Sequence, residues 1–145
     1  TNPSVLEMIG KALSYAEWDD PDKYRAVSVC GKMASTPKYV PVLLGLGARS
    51  LSAGVDRIPM IKEIAKRTDT AEARFLVGAI MTAETRADRE QLIRHFSETR
   101  LGLIHDGKYL KTDWQRPTTR YVPSTKIKIH EPSVKDEPDL SSTLA

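Results

Sequence analysis

At 145 residues the chain suits one domain, or one domain and a tail. Apolar residues make up 40% and charged residues 28%, enough for an ordinary core, and no apolar run reaches the length of a membrane span. A formal charge of +3 is too small to imply nucleic acid, and a single cysteine excludes a disulfide framework and cysteine-based zinc clusters, with the reducing cytoplasm as the expected compartment.

The chain opens at Thr1 without methionine, as expected of a fragment or a processed product. Asn2 is placed to cap a helix with Pro3 at its first position. Val5, Ile9, Ala12 and Ala16 recur at helical spacing, with Leu6 and Leu13 widening the stripe. Trp18 to Arg25 is polar and contains Asp20-Pro21, a loop signal. Ala26 to Val29 is a short apolar run ending at Cys30-Gly31, as in a buried parallel strand followed by a tight turn. Thr36 and Pro37 open the next helix, and Gly45 and Gly47 stop it. Ser50 to Ala53 is a second strand. Pro59 opens a third helix with Ile58, Ile61, Ile64 and Ala65 on one side. The order helix, strand, helix, strand, helix is that of a parallel α/β fold.

Two helices follow. Asp69 and Glu72 form a capping box for the first, whose apolar face is Phe75, Leu76, Ala79 and Ile80. Thr85 caps the second, with Leu92, Ile93 and Phe96 inward. Residues 99–114 read as a hairpin, with Asp106-Gly107 between Leu103-Ile104 and Tyr109-Leu110. Residues 115–145, punctuated by Pro117, Pro123, Pro132 and Pro138, offer few apolar groups to offset ordering and are expected to lack a fixed structure; Ile127-Lys128-Ile129 is the strand-like interruption.

Several of these motifs together resemble the C-terminal end of the phosphoenolpyruvate–protein phosphotransferase family, enzyme I of the sugar phosphotransferase system. They are Asn2-Pro-Ser-Val-Leu6, Cys30-Gly31, Leu43-Leu-Gly-Leu-Gly47, Ser50-Leu-Ser52 and Ile58-Pro59, in the family's order. The likeness covers residues 2–98, including the two closing helices; the chain from Leu101 onward resembles nothing in it. Pyruvate phosphate dikinase and phosphoenolpyruvate synthase share the Cys-Gly turn, but their continuation is less like residues 43–47.

The resemblance implies the last βα units of a (βα)8 barrel of the PEP-utilising enzymes, followed by two helices. Val27 to Val29 would end the seventh strand and Ser50 to Ala53 would form the eighth. It also implies magnesium and phosphoenolpyruvate at the strand C-termini, a phosphocarrier protein as partner, and pairing of two copies through the barrel domain. Neither nucleic acid nor a membrane is an expected partner. The carboxylates that hold the metal and the arginines that hold the substrate belong to earlier strands, so no residue of this chain is expected to bind a metal or cofactor. Cys30 alone carries over as a catalytic residue, as the acid that protonates the enolate carbon to give pyruvate.

An unperturbed thiol, with a pKa of about 8.5, suits that role. A free cysteine is otherwise most often a small buried apolar residue. Lys32 departs from the family, which has glutamate there; a cation near a thiol favours the thiolate and makes a poorer donor. His95, His105 and His130 show no metal-ligand spacing, and none has the setting of a phosphorylated histidine. Gly45-Leu-Gly47 follows a helix and precedes a strand, the reverse of a phosphate cradle. Three functions therefore compete: a piece of a phosphoenolpyruvate-dependent phosphotransferase, inactive alone; a non-catalytic remnant acting as an interaction module; and a piece of a dikinase-type relative.

Overall fold

A computed structural model describes residues 2–18, 27–104 and 108–123. The Asp20-Pro21 loop, Asp106-Gly107, the strand-like 127–129, His105 and His130 lie outside them.

Helix α1 spans Pro3–Trp18, two residues beyond Ala16, so that Trp18, read from the sequence as the start of a loop, is the last residue of the helix. Its start is fixed as expected: the Asn2 side-chain oxygen accepts from the Ser4 N–H at 3.0 Å. Strand β1 is Ser28–Val29 and strand β2 is Ser50–Leu51. They pair in parallel, Ser28 opposite Ser50 and Val29 opposite Leu51. Between them a 3₁₀ turn, Pro37–Tyr39, leads into helix α2, Val40–Gly45. Thr36 precedes that turn in extended conformation but does not cap it. Its hydroxyl donates backwards to the Lys32 carbonyl at 2.7 Å instead.

The end of α2 follows from its glycines. Gly47 has φ 99°, which its lack of a Cβ permits. The Ala48 N–H then reaches the Leu43 carbonyl and the Gly47 N–H the Leu44 carbonyl, each at 3.0 Å, a Schellman ending. Gly45 has a different task. A Cβ there would run into the Ala73 carbonyl and Val77, so Gly45 is what lets α2 lie tightly on the helix that carries those two residues.

Helix α3, Ile58–Arg67, opens with Pro59 in its first turn and buries Ile61 and Ile64, while Ile58 stays exposed. Helix α4, Thr70–Thr82, is capped by Asp69, whose carboxylate accepts from Ala71 and Glu72 N–H groups at 2.8 and 3.1 Å. Helix α5, Arg86–Leu101, has a full capping box between Thr85 and Asp88 and ends at Gly102 with φ 66°. Leu76, Ile80, Leu92, Ile93 and Phe96 meet Leu6, Val40, Val42 and Ile64 in the main core.

Strands β3, Leu103–Ile104, and β4, Tyr109–Leu110, pair antiparallel, Leu103 opposite Leu110 and Ile104 opposite Tyr109. Residues 115–123, expected to lack order, instead lie against the helices, with Tyr121 only 5% exposed. Its ring meets Phe96 edge-on, centroids 4.9 Å apart, burying apolar area that composition alone understates. The architecture is α/β, with few and short strands beside a helical majority.

Candidate functional site at the carboxyl end of the parallel pair

Side chains alternate across a strand, so the two faces of the β1–β2 pair differ. Val29 and Leu51 pack towards Leu13, Ala34, Leu43 and Ala48. Ser28 and Ser50 are exposed, and the Ser50 hydroxyl donates to that of Ser28 at 3.2 Å. The same alternation assigns Cys30 and Ser52, the next residues of each strand, to the serine side. The pairing continues to that level, since the Ser52 N–H donates to the Val29 carbonyl at 2.9 Å. Cys30 is exposed, not the small buried apolar residue that a lone cysteine most often is.

The loop after Cys30 turns at once because Gly31 has φ 87°, in the left-handed region. Ser35 N–H returns to the Gly31 carbonyl at 3.2 Å, and Thr36 N–H to the Met33 carbonyl at 3.2 Å. The Ser35 hydroxyl accepts from the Gly54 N–H at 3.4 Å, joining the loops that follow β1 and β2. The result is a thiol at the carboxyl end of one strand, beside a serine ladder, with both following loops tied together. Such an arrangement can deliver a proton to, or take one from, a ligand over that end of the sheet. Lys32, the residue after the turn, is also exposed.

Serine hydroxyls and a thiol are no natural donor set for magnesium, which is held chiefly by carboxylates. Ser28 to Cys30 and Ser50 to Ser52 contribute no carboxylate. Among the described residues, no three His, Cys, Asp or Glu side chains converge as a metal site. The residues present therefore do not by themselves fit that ion. His95 sits exposed on α5, away from any such cluster, its carbonyl accepting from Thr99. The Gly45-Leu-Gly47 amides do not cradle an anion: the N–H groups of Leu46, Gly47 and Ala48 are all spent on helix carbonyls. Ser28, Ser50 and Ser52 were legible as a face only through the period of two, which strands this short scarcely display. No described helix is long and apolar enough to cross a membrane.

Residues 1–70 match the family described as PEP-utilising enzyme, PEP-binding domain. The chain is 35% identical over 91 residues to a phosphoenolpyruvate-protein phosphotransferase of Haloferax volcanii, a stretch amounting to 63% of this chain and 15% of that protein. Its counterpart in Chlamydia trachomatis is 34% identical over 92 residues, again 63% of this chain and 15% of the relative. Multiphosphoryl transfer protein 1 of Escherichia coli is 28% identical over 95 residues, 66% of this chain and 11% of that protein. The chain thus spans no more than 15% of the length of these curated relatives. No solved structure matches it.

Proposed function

We propose, from the match of residues 1–70 to the family described as PEP-utilising enzyme, PEP-binding domain, that the chain is the C-terminal part of a phosphoenolpyruvate-dependent phosphotransferase. In this reading β1 and β2 are the last two strands of a (βα)8 barrel. Val29 and Leu51 face the outer helices, and Ser28, Cys30, Ser50 and Ser52 face the lumen. Catalytic groups of such barrels lie at the carboxyl ends of the strands, which is where Cys30 stands.

The phosphoryl group leaves phosphoenolpyruvate for a histidine of another domain, and the enolate of pyruvate remains. Cys30 gives its S–H proton to the enolate methylene carbon, the carbon–carbon double-bond pair forming the new C–H bond. Pyruvate leaves, and the thiolate takes a proton back from water. Magnesium would supply neutralisation of phosphate charge and would be held by carboxylates of other strands, not by residues of this chain; a phosphocarrier protein receives the phosphoryl group, and two copies pair through the barrel. The setting is cytoplasmic.

The observation that carries this reading is the exposed thiol on the face opposite the helix-packed Val29 and Leu51. Lys32, where the resembling family has glutamate, favours the second reading, a non-catalytic module. The purified chain with phosphoenolpyruvate, magnesium and a phosphocarrier protein should release no pyruvate, because phosphoryl transfer rests on positioning and charge that other strands supply. Release of pyruvate would overturn that division of labour.

A further inference from the structure

Residues 111–123 contain no helix or strand, yet they are fastened to α3, α4 and α5 at three places. Nearest the hairpin, the Arg67 guanidinium lies 4.7 Å from the Trp114 ring centre and donates to the Leu101 and Lys111 carbonyls at 3.0 and 3.4 Å. Gly102 makes room for that indole: a Cβ there would strike it. Next, Arg116 donates to the Arg67 carbonyl at 3.2 Å and lies 3.7 Å from the Asp69 carboxylate. Last, the Tyr121 N–H donates to the Glu72 carboxylate at 3.1 Å, with Arg120 over the exposed Phe75 ring and Tyr121 against Phe96. Glu72 is held in place by Arg100, which grips both carboxylate oxygens from α5.

Set against these contacts is a penalty. The Tyr121 hydroxyl and the Trp114 Nε1–H are buried without a hydrogen-bond partner among the described residues. A buried polar group without a partner costs about 1–3 kcal/mol. The burial that unsatisfies the Tyr121 hydroxyl also raises its pKa, the nearby Glu72 adding to the rise and Arg100 opposing it. Release of the segment would hydrate both groups while leaving the Glu72–Arg100 pair, α4 and α5 as they are.

We propose that residues 111–123 form a releasable strap, latched on Glu72, that opens as a unit from the Phe75–Phe96 side of α4 and α5 without unfolding the helices. The unpartnered hydroxyl of Tyr121 is the element that keeps the docked state marginal. This inference does not depend on the catalytic reading. Amide hydrogen exchange on the full chain tests it, because exchange reports the population of the open state of each segment. Tyr121→Phe, which removes the unsatisfied hydroxyl and keeps the ring, should slow exchange across 113–123 about fivefold. Tyr121→Ala should speed it more than tenfold, with α4 and α5 as protected as before. Exchange across 113–123 that is unchanged in both variants would overturn the latch. Loss of protection in α4 and α5 together with 113–123 would overturn the separate opening.

Discussion

Ser28 and Ser50 stand opposite one another in the parallel pair, their hydroxyls hydrogen-bonded at 3.2 Å on the face that the helices leave uncovered. Two residues further along, the same face carries Cys30. The thiol should therefore be open to reagents without any unfolding. Iodoacetamide should modify it in the native chain within about threefold of its rate in urea, as local opening is not needed. A rate slower by orders of magnitude would mean that Cys30 is covered.

Gly45 and Gly78 make a paired test of the packing that positions this site. Gly45→Ala places a methyl against the Ala73 carbonyl and should push α2 off α4, lowering stability by about 1–3 kcal/mol in urea unfolding. Gly78, on the exposed side of α4, has open space around it. Gly78→Ala should raise stability by about 0.5–1 kcal/mol, since alanine loses less backbone freedom in a helix. Equal effects at the two positions would contradict the close approach of α2 and α4.

Asp69 gives the fold a defined acid sensitivity. Its carboxyl is held below the usual 3.8, first by the Glu72 N–H and further by the Ala71 N–H, Arg116 and Arg100, against the opposing effect of burial. The folded state thus binds that proton less tightly than the unfolded chain. Its contribution is full above the unfolded value and is lost as pH falls through the lower folded one. Asp69→Asn keeps a cap but not the charge. It should cost about half a kcal/mol at neutral pH, solvent screening limiting the effect, and nothing once pH is below the folded value. A difference that stays constant from neutral to strongly acidic pH would show that Asp69 acts only as a cap.

The parallel pair and its cysteine were legible because the signal is local: an apolar run, then Cys30 and Gly31, then a second short run after the glycines of α2. The caps at Asn2, Asp69 and Thr85 were legible for the same reason. Thr36 misleads, since its hydroxyl has a choice between the next turn and the Lys32 carbonyl behind it, and takes the latter. Glu72 fits a capping box by spacing, yet its carboxylate is drawn to Arg100 and to the Tyr121 N–H, far along the chain. Gly45 reads as a stop, whereas its reason is a carbonyl on another helix. Tyr121 and Trp114 lie in a proline-punctuated polar stretch, where composition argues against order and only the groove between elements argues for it. Each of these rests on a partner that no periodicity encodes.

The central claim is that Cys30 protonates the enolate in a phosphoenolpyruvate-dependent phosphotransferase. Its most direct test is a hybrid in which residues 2–98 replace the matching stretch of the Haloferax volcanii phosphotransferase, made with and without Cys30→Ala. The account predicts that the hybrid forms pyruvate from phosphoenolpyruvate. Cys30→Ala should then cut pyruvate formation by about 10²-fold or more, the range of a lost general acid, with phosphoenolpyruvate binding within about threefold. Equal pyruvate formation by the two hybrids would contradict it.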